Sequence, residues 1–232
     1  MNKNEMLEFL KKCDSELDSY GKHLFFSIDS GLQRNSDVAL DEMVERVSSV
    51  LDISQEQNFE TLSNLLTGFI CHVRSMQFEL RAYLHMKDGD MSAAWNAIVD
   101  ARGASYAAIR ADSMYSDVCK TRIAHFDEME KLLFPPQLFL SAGGVVKSSE
   151  CSICNADYRN CNHIAGRIYN GQFCSRIVTK FIPNEVSIVK DPADRKCRAT
   201  SFSEGNEKYD TLTLRKTIDE KNKKDENSGT QS

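Results

Sequence analysis

Residues 132–146 read LLFPPQLFLSAGGVV, and the pattern of the chain changes inside this stretch. Up to Leu133 apolar residues recur three or four apart, as on one face of an α-helix; from Leu138 they run in short clusters with glycine and β-branched residues, as in strands. Pro135 and Pro136 lack the backbone N–H that a helix needs, and close the last helix. The expected fold class is therefore α+β: an N-terminal all-α helical bundle over residues 1–136, a small β-rich domain over 137–203, and a polar tail over 204–232.

Working back from Pro135, the spacing predicts five helices. The first runs from Met6 to Phe25 through Leu7, Leu10, Cys13, Leu17, Tyr20 and Leu24; Gly31 and Asn35 interrupt the pattern, and a second starts near Ser36 and carries Leu40, Met43, Val44, Val47 and Leu51. Ser54, with Gln57 three residues on, has the form of a capping box for the third helix. That helix carries Phe59, Leu62, Leu66, Phe69, Val73, Met76, Leu80 and Leu84, and ends at Asp88-Gly89-Asp90. Asp90 is placed to cap a fourth, in which Ala94, Ala97, Ala101, Ala104 and Ala108 make a stripe of small residues suited to close helix packing. Val118, Ile123, Phe126, Met129 and Leu133 define the fifth. Short polar turns between such helices imply an antiparallel bundle or stacked helical hairpins. The segment GDMSAAWNAIVDA resembles one tetratricopeptide-type helix, but no second copy follows at the required period, so a repeat array is not expected.

Forward from Pro136, LFLSAGGVV, RIYNGQFCSRIV and EVSIV read as strands, with Asn170-Gly171 as a hairpin turn. From Ser203 the sequence becomes polar and ends KNKKDENSGTQS, too poor in apolar surface to offset its ordering entropy, so a flexible tail is expected.

The chemistry lies in residues 151–166, CSICNADYRNCNHIAG, whose donors are spaced C-x2-C-x6-C-x-H. A CxxC turn brings two thiolates to one ion, and a Cys-x-His pair in extended backbone puts both side chains on one side. Cys151, Cys154, Cys161 and His163 are thus the expected ligands of one structural zinc, a closed tetrahedral set with no position for water or substrate. Cys174 is an alternative to His163 as fourth ligand, and Cys197 a more distant one. Of the eight cysteines, five fall in this half of the chain, a distribution that points to metal binding and away from a disulfide framework.

Two resemblances attach to these residues. The C-x-H-I ending resembles the SWIM-type zinc finger, a module that binds DNA or proteins, although SWIM fingers open with C-x-C. The strand segment EVSIVKDPADRKCRATSF, following HIAGRIYNG, resembles a strand of phage prohead-type serine proteases. That likeness implies a bacterial or phage setting, with His163 as base and Ser187 as nucleophile if the chemistry carried over.

Other histidines weigh less. Arg81/His85 and Arg122/His125 invite comparison with HEPN-type ribonucleases, but that family's motif, R-x4-H to R-x6-H, places four to six residues between Arg and His, and neither pair fits. No glycine-rich phosphate loop, GxSxG elbow or paired-carboxylate arrangement is present. Tyr158, Arg159, Arg167, Tyr169, Phe173 and Arg176 interleave aromatic and basic side chains around the zinc segment, a combination that could stack on bases and neutralise phosphates. Residues 138–202 hold nine Lys/Arg against five Asp/Glu, a net of +4 that leaves −9 for the rest of the chain, well short of a strong basic stripe. At 41% hydrophobic and 27% charged, with no secretory pattern at the N-terminus and no apolar run of about 20 residues, the chain reads as a cytoplasmic protein without a membrane span. The expected function is a non-enzymatic interaction or adaptor protein. The helical domain would bind a protein partner or a second copy of the chain, and the zinc module would add a second contact. Nucleic-acid binding and descent from a serine protease are the alternatives.

Overall fold

The computed structural model describes residues 1–217. Five helices are followed by strands, in the α+β arrangement expected. Helix α1 (Lys3–Gly21) opens on a capping box that the sequence reading passed over: Asn2 Oδ1 accepts from Glu5 N, and the Glu5 carboxylate accepts from Asn2 N. Helix α2 (Ser30–Glu56) begins six residues before the expected start, because Asp29 Oδ1 accepts from the N–H groups of both Gly31 and Leu32. An aspartate cap contributes about 1 kcal/mol, enough to offset the propensity cost of one glycine in the first turn.

The Ser54/Gln57 capping box is not formed. Ser54 lies inside α2, buried, with its Oγ 2.9 Å from Ser63 Oγ, and Gln57 ends that helix. The chain turns at Asn58, in the left-handed region at φ 55°, and α3 (Glu60–Lys87) starts without a side-chain cap. Asp90 does cap α4 (Met91–Ala111), accepting from Ala93 N at 2.9 Å. Ala94, Ala101 and Ala108 are fully buried, and α3 and α4 form the closest helix pair. Helix α5 (Ser116–Leu133) completes the bundle.

Two apolar cores result. One is built mainly from α1, α2 and α3, around Met6, Leu40, Met43, Leu66 and Phe69, with Ala108, Tyr115 and Cys119 from later in the bundle. The other surrounds Trp95, with Ala82, Tyr83, Ile98, Phe126 and Phe134 from the helices, and with Phe139 and Leu212 from beyond them. Trp95 meets Phe134 edge-on at 5.2 Å and donates from Nε1 to Arg195 O at 3.0 Å. The segment that follows the cysteine-rich stretch therefore returns to pack on the bundle.

Strands β1 (Phe139–Cys151) and β4 (Arg176–Val189) form a long antiparallel ribbon with register shifts near Gly143/Gly144 and around Ser148. Gly144 is required where it stands: a Cβ there would come within 2.5 Å of the Phe181 ring and 2.3 Å of Ile182 O. The apolar residues of this ribbon are not a core, since Leu140, Val145, Ile177, Val178, Phe181, Ile182, Val186 and Ile188 are all exposed, the last two at 69%. Between the two long strands, β2 (Ile168–Tyr169) and β3 (Gln172–Phe173) make the small hairpin whose turn is Asn170-Gly171, both residues at positive φ.

The expected tail begins instead with structure. β5 (Ser201–Glu204) and β6 (Glu207–Asp210) form a third hairpin, turned at Gly205 (φ +61°), with Phe202 and Tyr209 stacked at 5.4 Å and Leu212 buried at 4% exposure. Three apolar residues separated by charged ones give no hydropathy signal, yet each has a partner. The rest of the expected tail, 218–232, lies outside the described residues. Among the described residues no helix is long and apolar enough to cross a membrane.

Candidate metal centre

The four expected ligands converge. β1 ends at Cys151, whose N–H donates to Ala156 O at 2.9 Å and whose carbonyl accepts from Asn155 N at 2.9 Å. Asn155 sits at φ 57°, and the tight turn it allows folds Cys154 back toward Cys151. The Asp157 carboxylate then caps a 3-10 turn, Tyr158–Asn160, which delivers Cys161 in extended backbone. Cys161 and His163 consequently point to the same side, with the His163 N–H donating to Cys161 Sγ at 3.2 Å.

The donor atoms of Cys151, Cys154, Cys161 and His163 all lie within 4.8 Å of one another. Individual separations are 3.4 Å between the sulfurs of Cys154 and Cys161, 3.2 Å from Cys161 Sγ to His163 Nδ1, and 3.7 Å from Cys151 Sγ to the same nitrogen. Zinc–sulfur bonds of about 2.3 Å in a tetrahedron place neighbouring sulfurs about 3.8 Å apart, so a small inward or outward adjustment fits this set to one ion. Three thiols and an imidazole are the donors that a borderline-soft divalent metal such as zinc selects.

Hydrogen bonding prepares the group for that role. Burial pushes the Cys151 thiol up, but the amides of Cys154 and Ile153 and the thiols of Cys161 and Cys174 more than reverse this and bring it to about 6. Cys161 goes the other way: the His163 amide lowers it, while burial and the thiols of Cys154 and Cys151 raise it to about 11. A cation at the centre would relieve this crowding of like charges, and its binding would release the remaining protons.

Several of the surrounding aromatic and basic side chains hold the loop. Tyr158 OH accepts from Ala165 N at 2.8 Å, Tyr169 OH accepts from Ile164 N at 3.0 Å, and the Tyr169 ring meets His163 edge-on at 4.8 Å. Arg159 is paired with Asp157, Arg176 lies over Tyr158, and Arg110 of α4 lies over Phe173. The tip of the β2–β3 hairpin is in turn fixed to the bundle. Gln55 Nε2 donates to Asn170 O at 2.9 Å, Thr67 Oγ1 donates to Gly171 O at 2.9 Å, and Gly171 N donates to Asn64 Oδ1 at 2.8 Å.

The other sequence candidates separate. Cys174 is buried, with its sulfur 3.7 Å from Cys151 Sγ. Cys197 is exposed and lies at the far end of the ribbon, where its carbonyl accepts from Leu140 N. Ser187 pairs with Ser141, ten residues along β1 from Cys151, so at about 3.3 Å per residue it stands about 30 Å from the His163 cluster. His163 and Ser187 therefore do not form a base–nucleophile pair within the chain.

In the bundle, Arg81 is paired with Asp37 and Asp41, apart from His85. Arg122 and His125 meet at a residue the sequence reading did not single out. Glu79, buried on α3, has Arg122 Nη2 at 2.8 Å and His125 Nε2 at 3.3 Å, and accepts from Tyr83 OH at 2.9 Å. The available signal was a glutamate on an otherwise apolar helix face. Arg122 Nε also donates to Ser75 Oγ at 3.1 Å, which makes the group an internal cross-link between α3 and α5.

The chain is thus a five-helix bundle followed by β-hairpins that carry a cluster of three cysteines and one histidine able to hold a metal ion. Comparison with models of known protein families, with curated proteins and with solved structures found no match. The resemblances to SWIM fingers and prohead proteases accordingly rest on the residues quoted for them, whereas the metal cluster stands on its geometry.

Proposed function

We propose that this is a non-enzymatic interaction protein whose C-terminal part is organised by one structural zinc ion held by Cys151, Cys154, Cys161 and His163. The carrying observation is the convergence of those four donors within 4.8 Å. Four protein ligands complete a tetrahedron, and a catalytic zinc would need one position left for water or substrate. The ion would fix the root of the β1–β4 ribbon, since Cys151 is the last residue of β1. A two-stranded ribbon is marginal in water without further packing, and this one presents eight exposed apolar side chains, the kind of surface that marks an interaction site.

Native mass spectrometry of the wild type and of Cys154→Ser and His163→Ala tests the reading. One zinc per chain in the wild type, lost or bound more weakly in Cys154→Ser, is expected. A folded wild-type chain that carries and binds no metal would sink the proposal. The interaction half has its own check: Val186→Lys with Ile188→Lys leaves metal content and stability within about 0.5 kcal/mol of wild type, as surface changes do, while removing self-association or partner binding in sedimentation velocity.

A further inference from the structure

We propose that Cys174 is a fifth donor of the same centre, interchangeable with His163 as the fourth ligand. The inference rests on the metal reading above and adds to it a ligand and a means of exchange. Cys174 Sγ and His163 Nδ1 each lie 3.7 Å from Cys151 Sγ, so both stand one tetrahedral edge from the same thiolate. The Cys174 separation is nearer the ideal sulfur–sulfur edge of about 3.8 Å than the 3.4 Å between Cys154 and Cys161.

Cys174 is held there by the loop that carries the histidine. Its N–H donates to Arg167 O at 2.8 Å and its carbonyl accepts from Gly166 N at 2.8 Å, three and four residues beyond His163. Gly166, at φ +87°, allows the turn that brings these strands together. The side chain is 2% exposed, with its sulfur against that of Cys151. Among the described residues, its one polar side-chain neighbour is the sulfur of Cys151, a proposed ligand of the metal.

Zinc takes four ligands, and this centre offers four sulfurs and one nitrogen. When the imidazole of His163 leaves, the Cys174 thiol gives its proton to solvent and its sulfur takes the vacated position, with no change in the oxidation state of metal or sulfur. The metal thus passes between a set of three thiolates with one imidazole and a set of four thiolates, with four protein ligands in each.

Cobalt(II) titrations of full-length wild type, His163→Ala, Cys174→Ser and the double variant test this, with far-ultraviolet circular dichroism verifying that the bundle is folded. Each single variant is expected to bind one cobalt within about tenfold of wild type, and the double variant more than tenfold weaker than either, on the scale of ligand-sphere losses. In His163→Ala, where Cys174 is untouched, the thiolate-to-cobalt charge-transfer band should be about one third more intense than in wild type, as four sulfurs replace three. A double variant that binds as well as His163→Ala, an unchanged band intensity in His163→Ala, or loss of metal from either single variant would overturn the proposal. Failure of the metal reading itself looks different, because wild type would then bind no cobalt.

Discussion

Gly171→Ala is the substitution that best probes how the β2–β3 hairpin is tied to the bundle. Gly171 sits at φ +78°, and a Cβ built there would stand 2.8 Å from Leu51 Cδ1, 2.9 Å from Gln55 Nε2 and 3.1 Å from Thr67 Oγ1. The left-handed backbone alone costs an L-residue about 1–2 kcal/mol. Overpacking against Leu51 adds about 1–3 kcal/mol, and moving the tip away gives up the bonds from Gln55 and Thr67 at about 1 kcal/mol each. Relief of the clash and retention of the bonds exclude one another, so the expected loss is about 2–4 kcal/mol. Asn170→Gly is the matched control: it keeps the turn and removes the bond from Asn170 Nδ2 to Gln55 O at 3.1 Å, for a loss of about 1 kcal/mol. Urea unfolding followed by circular dichroism, with limited proteolysis of residues 160–175, reads both effects. If Gly171→Ala unfolds at the wild-type midpoint and the hairpin is no more readily cleaved, the tip is not a load on the bundle and the docking argument fails.

Three further outcomes follow from the bundle and its returning segment. Glu79→Ala strips a buried arginine of its partner and should destabilise the protein by about 3–5 kcal/mol in chemical denaturation, whereas Glu79→Gln, which keeps a hydrogen-bond acceptor, should cost less; equal stabilities of Glu79→Ala and wild type would refute the cross-link. Burial, and secondarily Arg122, lower His72 to about 4, so the unfolded chain binds a proton that the folded chain refuses between about pH 6.5 and 4. Stability therefore falls with pH across that window, by up to about 3 kcal/mol from this residue, and His72→Gln should flatten the profile. His125 opposes it, since hydrogen bonding to Glu79 raises its pKa and its contribution is lost as pH rises. Leu212→Ala, deep in the Trp95 core, should cost about 2–4 kcal/mol by calorimetry, and a loss under about 0.5 kcal/mol would mean the segment does not pack there.

The helices were legible because burial imposes a 3.6-residue period that Leu40, Met43, Val47 or Leu66, Phe69, Val73 display directly. Their ends were less so. Ser54 and Gln57 have the composition of a cap, but Leu51 and Ser54 are still on the inner face of α2, and the break comes at Asn58, a residue type that tolerates the left-handed backbone found there. The convergence of Cys151, Cys154, Cys161 and His163 could be read from spacing alone, since CxxC and CxH bring side chains together through local backbone geometry. Cys174 could only be named as an alternative: what brings it to Cys151 is pairing across the hairpin, which no spacing encodes. The ribbon was read as part of a β-rich domain because its residues are apolar, and apolar composition does not say whether a strand is covered. The β5–β6 hairpin went unread for the opposite reason, its stability resting on one aromatic stack and one buried leucine.

The attachment of Asn170 and Gly171 to α2 and α3 has a thermodynamic corollary. The donor cluster meets the bundle at this turn, so the free energy with which a bound ion would steady the hairpin would be shared, in part, by the helices that grip its tip. Reciprocity would then require that a ligand whose binding such an ion favours through α2 and α3 raise the affinity for the ion by the same factor. A partner that bound the helices alone would make itself felt at the thiolates, some distance from any surface it touched.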